Sequence, residues 1–582
     1  MKKVVTACGS AAAMAITGLW VTTPYSLGQT LPSGTIQRIE RDKEIQQQIN
    51  EIEQEQRNDS EESDQPLIET SPQPVQQSGS VSIESVEVSG ATHADNAERI
   101  TRKANQFVGK RSSLKELEQF RHWIRQLYRD QHLLAVVSIS AEALSNGTLA
   151  ITITEARLGS VTVDPSSKHR LKDERAIAMV TSAVHPGSLL RLDKLTSALL
   201  KLNDLGGVKV HSKLQRGKGK GITDVMLVIE DGNRNSGFAQ INNETNRYLG
   251  ELETELIFTT ANNFGVGEVF SIDGQWWGNA QGTGNAFGSA TFTLPISSDG
   301  LKLNLYGNTS NYRLLQDIYD DNINGNTTSL KVGLKQPLLR QPKNSAWVQV
   351  DADYNTYIDR IEQVEIRNKA SKVGRISLIG QHQDAVLGTG LNTMLAQFSY
   401  GDLDRSGNEF DFNLDDLTAN THGSFSKAYL LYNRYQIFSP HWHGRFLAQG
   451  QAGFTNLDGA EKISLGYPNG VRAYPPGEGA GDSGISAQTE LIYRASPLVS
   501  ISAFFDAGHV WRWNAPFIGS LRPNDYSLMG TGLSINIGRN GQWMLSGTWA
   551  FPIGDNLATE DLADVDHYNP GSRLWASMKI WF

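Results

Sequence analysis

Residues 500–510 read SISAFFDAGHV, and Asp506 is the only carboxylate among them. On a strand, Ser500, Ser502, Phe504, Asp506 and Gly508 share one face, while Val499, Ile501, Ala503, Phe505 and Ala507 share an apolar other face. One side of such a strand suits lipid and the other suits water, and the carboxylate sits on the wet side. A carboxylate held there either binds a cationic partner or is simply solvated. Other chemistry is absent from the sequence. It holds no G-x-x-x-x-G-K-[ST] phosphate loop, no H-E-x-x-H, no Cys/His set at metal spacing and no recognisable nucleophile constellation. His441 and His443, in SPHWHG, read as solvated turn residues rather than ligands. The expectation is a non-enzyme with no catalytic residues, no cofactor and no metal.

The elements that would position Asp506 begin with an export signal. Lys2 and Lys3 precede VVTACGSAAAMAITGLWV, and small residues follow at Ser26-Leu27-Gly28, so residues 1–28 read as a secretory signal peptide. The only cysteine, Cys8, lies within it, and the mature chain would need no disulfide. Of 582 residues 20% are charged, with a net charge of −9, which argues against nucleic acid as a partner. No later stretch offers the ~18 apolar residues of a membrane helix. An exported chain of this kind is either soluble or a membrane β-barrel.

Residues 35–57, TIQRIERDKEIQQQINEIEQEQR, read as one polar helix with a narrow stripe of Ile36, Ile39, Ile45, Ile49 and Ile52. A short coiled coil or a helix lining a polar cavity would both fit. Residues 58–80 are rich in Pro, Ser, Gln and acid and read as a flexible linker. Two tandem β-α-α-β-β units follow, at 81–155 and 156–231, each a small sheet covered by two helices. From 235 to 582 the pattern is strands alone, sixteen in number, most close to the ~9–11 residues that cross a bilayer when tilted. Short turns (PISSDG, FSPHWHG, RASPL, GRNGQ) alternate with long loops at 311–325, 402–422 and 455–484. That alternation marks an antiparallel outer-membrane barrel, which leaves no edge unpaired in lipid. A soluble all-β propeller or solenoid is the competing arrangement. The last strand, RLWASMKIWF, puts Leu574, Ala576, Met578, Ile580 and Phe582 on one face.

This order of parts resembles the ShlB/FhaC/HecB family of two-partner secretion transporters over the whole mature chain. The resemblance implies a 16-stranded antiparallel transmembrane β-barrel, two periplasmic α+β POTRA domains (81–155 and 156–231) and an N-terminal plug helix (35–57). It also implies an outer-membrane location, with the POTRA domains in the periplasm. Two motifs carry it. Val471-Arg472-Ala473-Tyr474, in the longest loop, is similar to the family's Val-Arg-Gly-Tyr/Phe, with Ala473 in place of glycine. Phe504-Phe505-Asp506-Ala507-Gly508 fits its Phe-x-Asp-x-Gly on strand thirteen. By that resemblance, loop 455–484 folds back into the barrel and Arg472 pairs with Asp506; read from the residues alone, an ion pair and two ordinary solvated charges fit equally. The implied function is an outer-membrane pore that recognises a large exoprotein by its N-terminal secretion domain and exports it, with activation of the cargo left open. The cargo would be an adhesin, a haemolysin or a contact-dependent toxin. The other implied partners are outer-membrane lipid and the barrel-assembly machinery, with Phe582 as the C-terminal signal. Candidate receptor edges are strands 134–140 and 207–215. An insertase of the same superfamily is the alternative, weakened by the count of two POTRA units, and a porin is a more distant one.

Overall fold

A computed structural model describes residues 33–43, 45, 68–69, 80–92, 94–278, 284–314, 322–520, 523–557, 564–566 and 568–582. The expected signal peptide, and residues 46–57 of the expected polar helix, lie outside them. Residues 33–43 form the first described helix, α1.

The first β-α-α-β-β unit contains β2 (Ser80–Ile83), β3 (Ser85–Ser89), α2 (Ala94–Ala104), β4 (Lys110–Ser113), α3 (Leu114–Asp130), β5 (Ala135–Ile139), α4 (Ala141–Ser145) and β6 (Thr148–Glu155). α3 starts where the sequence says it should. The Ser113 hydroxyl accepts from the Glu116 amide, and the Glu116 carboxylate accepts the Ser113 amide proton at 2.7 Å, a reciprocal cap. Its stripe of Leu117, Phe120, Ile124 and Leu127 is buried against the sheet. The second unit repeats the plan with β7 (Arg157–Val163), α5 (Asp173–Ala183), α6 (Leu192–Asn203), β8 (Val208–Arg216) and β9 (Ile222–Asp231). β3 pairs parallel with β6 and β7 with β9, while β5 and β8 pair antiparallel with the same two strands; β2 and β4 form a separate antiparallel pair.

Two features depart from the sequence reading. The stretch 58–80 is not wholly a free linker, because Ile68–Glu69 (β1) adds in parallel to β8 at Ser212 and Lys213. The edge at 207–215 is therefore partly occupied by the chain itself, whereas β5 ends its sheet with β6 as its one strand partner among the described residues. The two units are also interlocked. Leu134 packs on the second core and Leu189 on the first. The Leu192 amide donates to the His132 carbonyl at 2.8 Å, and the Ala156 amide donates to the Leu134 carbonyl at 2.9 Å.

The second unit is seated on the barrel through its short turns. Asp204 takes Arg340 in a two-pronged contact, with Nη2 at 2.8 Å and Nε at 2.9 Å, and its carbonyl accepts Lys302 Nζ at 2.7 Å. The Lys172 and Gly206 amides donate to the Gly265 and Gly267 carbonyls, each at 3.0 Å.

Strands β10–β25, running from Asn235–Asn242 to Arg573–Trp581, close into a sixteen-stranded antiparallel barrel. Its outer wall exposes Leu330, Val332, Leu334, Ile376, Leu378, Phe398 and Leu533, while the alternate positions face a polar lumen. The wall is uneven. β15 (Ile323–Arg340), β16 (Asn344–Ile361) and β17 (Val364–Asp384) have 18, 18 and 21 residues, but β10 has 8 and β25 has 9. The sequence reading ended the tall strands near the membrane. β16 and β17 instead continue outward to a two-residue turn at Glu362 and Gln363, both with positive φ (47° and 70°). The closing seam between β10 and β25 has five residue pairs, Phe238–Trp581 to Asn242–Ser577. Phe582 extends it by a reciprocal pair of 3.0 Å backbone hydrogen bonds with Gly237.

Candidate functional site: the inward loop and its seat

The loop between β20 (Trp442–Gly453) and β21 (Ser483–Ser496) is buried almost from end to end. It lies inside the barrel, and its tip carries Val471–Tyr474. β22 (Val499–Trp511) supplies the wall: Phe505 is 47% exposed on the outside and Asp506 is 0% exposed on the inside. Arg472 reaches Asp506 with Nε and Nη2, each at 2.9 Å from one carboxylate oxygen, and its amide adds a third hydrogen bond at 3.0 Å. Nη1 contacts Glu490 on β21 at 3.2 Å, and the guanidinium lies 3.6 Å from the Phe504 ring centroid. The Trp575 indole, on β25, donates to the Arg472 carbonyl at 2.7 Å. Each polar edge of the guanidinium thus has an acceptor, which is what a buried cation requires.

Around this pair, Val471, Ala473, Tyr474 and Phe504 form one apolar cluster with Leu465, Val510 and Leu528. Two glycines make room for it. A Cβ on Gly508 would lie 2.8 Å from Leu465, and a Cβ on Gly530 would lie 2.8 Å from the Ala473 methyl. Ala473 does not adopt a positive φ, so the alanine in place of the family's glycine costs no backbone strain. Its methyl occupies the space left by Gly530.

Sequence reasoning missed the other arm of the loop. Asp458 accepts Lys369 at 2.5 Å and Arg405 at 3.0 Å; Glu461 accepts Lys427 at 2.7 Å and Arg375 at 2.9 Å. The available signal was the row Arg367, Lys369, Arg375 at alternating positions of one strand, which needs anions from elsewhere in the chain. Glu490 and Trp575 were missed too, because only barrel closure brings them to Arg472. His443, read as a solvated turn residue, is buried and 3.0 Å from the Tyr435 hydroxyl. His441 is the exposed one of the two, with Nδ1 3.1 Å from the Arg494 carbonyl. Among the described residues no three His, Cys, Asp or Glu are placed to hold a metal.

Helix α1 lies along the lumen beside this loop. Gly34 packs against the backbone of Gly459 and Ala460, where a Cβ would meet the Ala460 nitrogen at 3.0 Å. Arg38 donates to the Gly459 and Gly477 carbonyls (3.1 and 3.3 Å), and Arg41 donates to those of Ala460 and Lys462 (both 2.7 Å). Gln37 contacts Ser329 and Asn355 on the wall at 2.8 and 3.0 Å. Lys43 sits on both oxygens of Glu253, at 2.8 and 2.7 Å. The helix is less uniformly polar in its setting than its sequence implied. Ile36 and Ile39 are buried among Tyr248, Leu249, Tyr312, Leu314 and Ile323, which come from the long-loop side of the barrel.

A closed sixteen-stranded barrel carrying two α+β modules and an inward loop defines a polypeptide-transporting outer-membrane channel. Comparison with known proteins makes this specific. The family model for haemolysin secretion/activation protein ShlB/FhaC/HecB matches residues 221–536, and the ShlB-type POTRA domain model matches residues 81–156. The heme/hemopexin transporter protein HuxB of Haemophilus influenzae is 22% identical over 463 residues, covering 78% of this chain and 80% of that protein. CdiB from Escherichia coli superposes with a TM-score of 0.69 at 18% identity, over 95% of this chain and 100% of that one. CdiB from Acinetobacter baumannii gives 0.61 at 14% identity, over 92% and 98%. The chain belongs to the ShlB/FhaC/HecB family. It is an outer-membrane transporter of two-partner secretion that exports a partner exoprotein, with its POTRA domains in the periplasm.

Proposed function

We propose that the POTRA pair captures the N-terminal secretion domain of a large exoprotein, and that the lumen then opens by withdrawal of α1 and release of the inward loop from its Arg472–Asp506 anchor. The observation that carries this reading is the double filling of the lumen. Helix and loop are held by side-chain contacts to the wall and to each other, and both can move without breaking a strand. The edge of β5, with Val136 65% exposed, supports capture by strand addition. Backbone hydrogen bonds there give affinity while tolerating many cargo sequences. An adhesin, a haemolysin and a contact-dependent toxin all fit this mode. Outer-membrane lipid covers the apolar outer wall, and Phe582 serves the barrel-assembly machinery as the terminal signal. No nucleotide motif is present, so the driving force is assigned to folding of the cargo outside the cell.

The test is a reversible tether. Gln37→Cys with Ser329→Cys, whose parent side chains are 2.8 Å apart, should stop export of the exoprotein encoded beside this gene when oxidised and restore it on reduction. Undiminished export with the disulfide formed would refute withdrawal of the helix. Val136→Lys, which places a charge on the open edge, should weaken capture of the secretion domain in a pull-down.

A further inference from the structure

The seat of α1 combines two chemistries in one place. The ring of Tyr248, Leu249, Tyr312, Leu314 and Ile323 at the outer mouth takes Ile36 and Ile39. Beside it, the carbonyls of Gly459, Ala460, Lys462 and Gly477 all point at cations, and Arg38 and Arg41 fill them. The seat therefore reads the pattern Ile36-Gln37-Arg38-Ile39, two apolar side chains flanking a cation. Once the helix leaves, five apolar side chains and the carbonyls of the loop arm that Asp458 and Glu461 keep on the wall face water at the point every exported residue must pass. A mouth that only had to be plugged could be closed by polar contacts, such as those that Gln37 and Lys43 make with the wall.

We infer that this seat is also a binding site for the exported chain, taking short segments in which apolar side chains flank an arginine or lysine. The inference rests on the reading of α1 as a withdrawable plug. Each such segment pauses at the exit as it emerges, so the chain is held against slipping back while the part already outside folds. Binding must be weak enough to release: Glu461, 3.6 Å from Arg41, is already engaged by Lys427 and Arg375, so the loop carbonyls are the main partners left for an incoming cation, which suits brief occupancy.

The experiment uses the full chain in planar bilayers. Arg41→Glu with Lys43→Glu should loosen α1 by removing its contacts to the loop carbonyls and to Glu253, and should raise conductance. If conductance does not rise, the plug reading fails and this inference falls with it. In the open channel, a serine/glycine-rich synthetic peptide carrying Leu-Ser-Arg-Leu is added from the periplasmic side. Its blockades should last roughly tenfold longer than those of peptides with Ser for both leucines or Glu for the arginine. Adding Leu249→Gln and Leu314→Gln should erase that difference. Equal blockades for all three peptides, or an undiminished difference after the two glutamine substitutions, would overturn the inference with the plug reading intact.

Discussion

Arg472 is held by Asp506, Glu490 and the Phe504 ring, in a place where it is 8% exposed. Removing either member of the main pair leaves the other buried and unpaired, at a local cost of about 3–5 kcal/mol. Arg472→Ala or Asp506→Ala should therefore impair export while the barrel still inserts and keeps its heat-modifiable mobility on gels. Wild-type export by both variants would show that the pair does not anchor the loop. Arg472→Lys should rescue only in part, since an ammonium cannot make the two parallel contacts. Gly508→Val tests the wall from the other side. Its added carbons run into Leu465, so the loop should lift, and trypsin should cut at Arg472 in the folded protein. Asp506 was legible from strand parity, and Arg472 from a four-residue motif. Glu490, Asp458, Glu461 and Trp575 were not, because their meeting depends on register around a closed barrel, and no local pattern encodes that.

At the scale of elements, α1 is fastened by an ionic contact and an apolar one with different sensitivities. Lys43→Gln removes the ionic contact and leaves Glu253 without that cation, so spontaneous openings in planar bilayers should become more frequent. The exchange Lys43→Glu with Glu253→Lys should restore the resting level. No change with Lys43→Gln would place the grip in the apolar ring and in the contacts of Gln37, Arg38 and Arg41. In the parent protein the openings should rise with ionic strength to the extent that the lumen is wet. The sequence reading foresaw a polar helix and the alternation of strands. It underestimated β15–β17 because it looked for membrane-length segments, and a strand that leaves the bilayer keeps its period of two. It took 58–80 as free because Pro, Ser and Gln hide the short pairing of Ile68 and Glu69 with a strand far along the chain.

Across the whole molecule, the two α+β units and the barrel are joined by direct contacts. Leucines exchanged between the POTRA cores couple them to each other, and Asp204 couples the second to the barrel turns. Asp204→Ala should loosen that joint by about 1 kcal/mol, the scale of a partly exposed pair, and should speed amide exchange in residues 200–206 and 263–267 without affecting the first unit. Unchanged exchange would mean the backbone contacts alone hold it. The order of domains was legible because composition changes at each border; their interlocking was not, since it turns on single leucines inside ordinary apolar patterns. The tall side of the wall has a further consequence. β17 is roughly 70 Å of strand, and even tilted it overshoots a hydrocarbon layer of ~30 Å. The Glu362–Gln363 turn thus stands well clear of the hydrocarbon layer on the long-loop side. Its left-handed backbone restricts what can stand there, so the substitutions tolerated at these two positions, read from surface display of a variant library, should be drawn mainly from Asn, Asp and Gly.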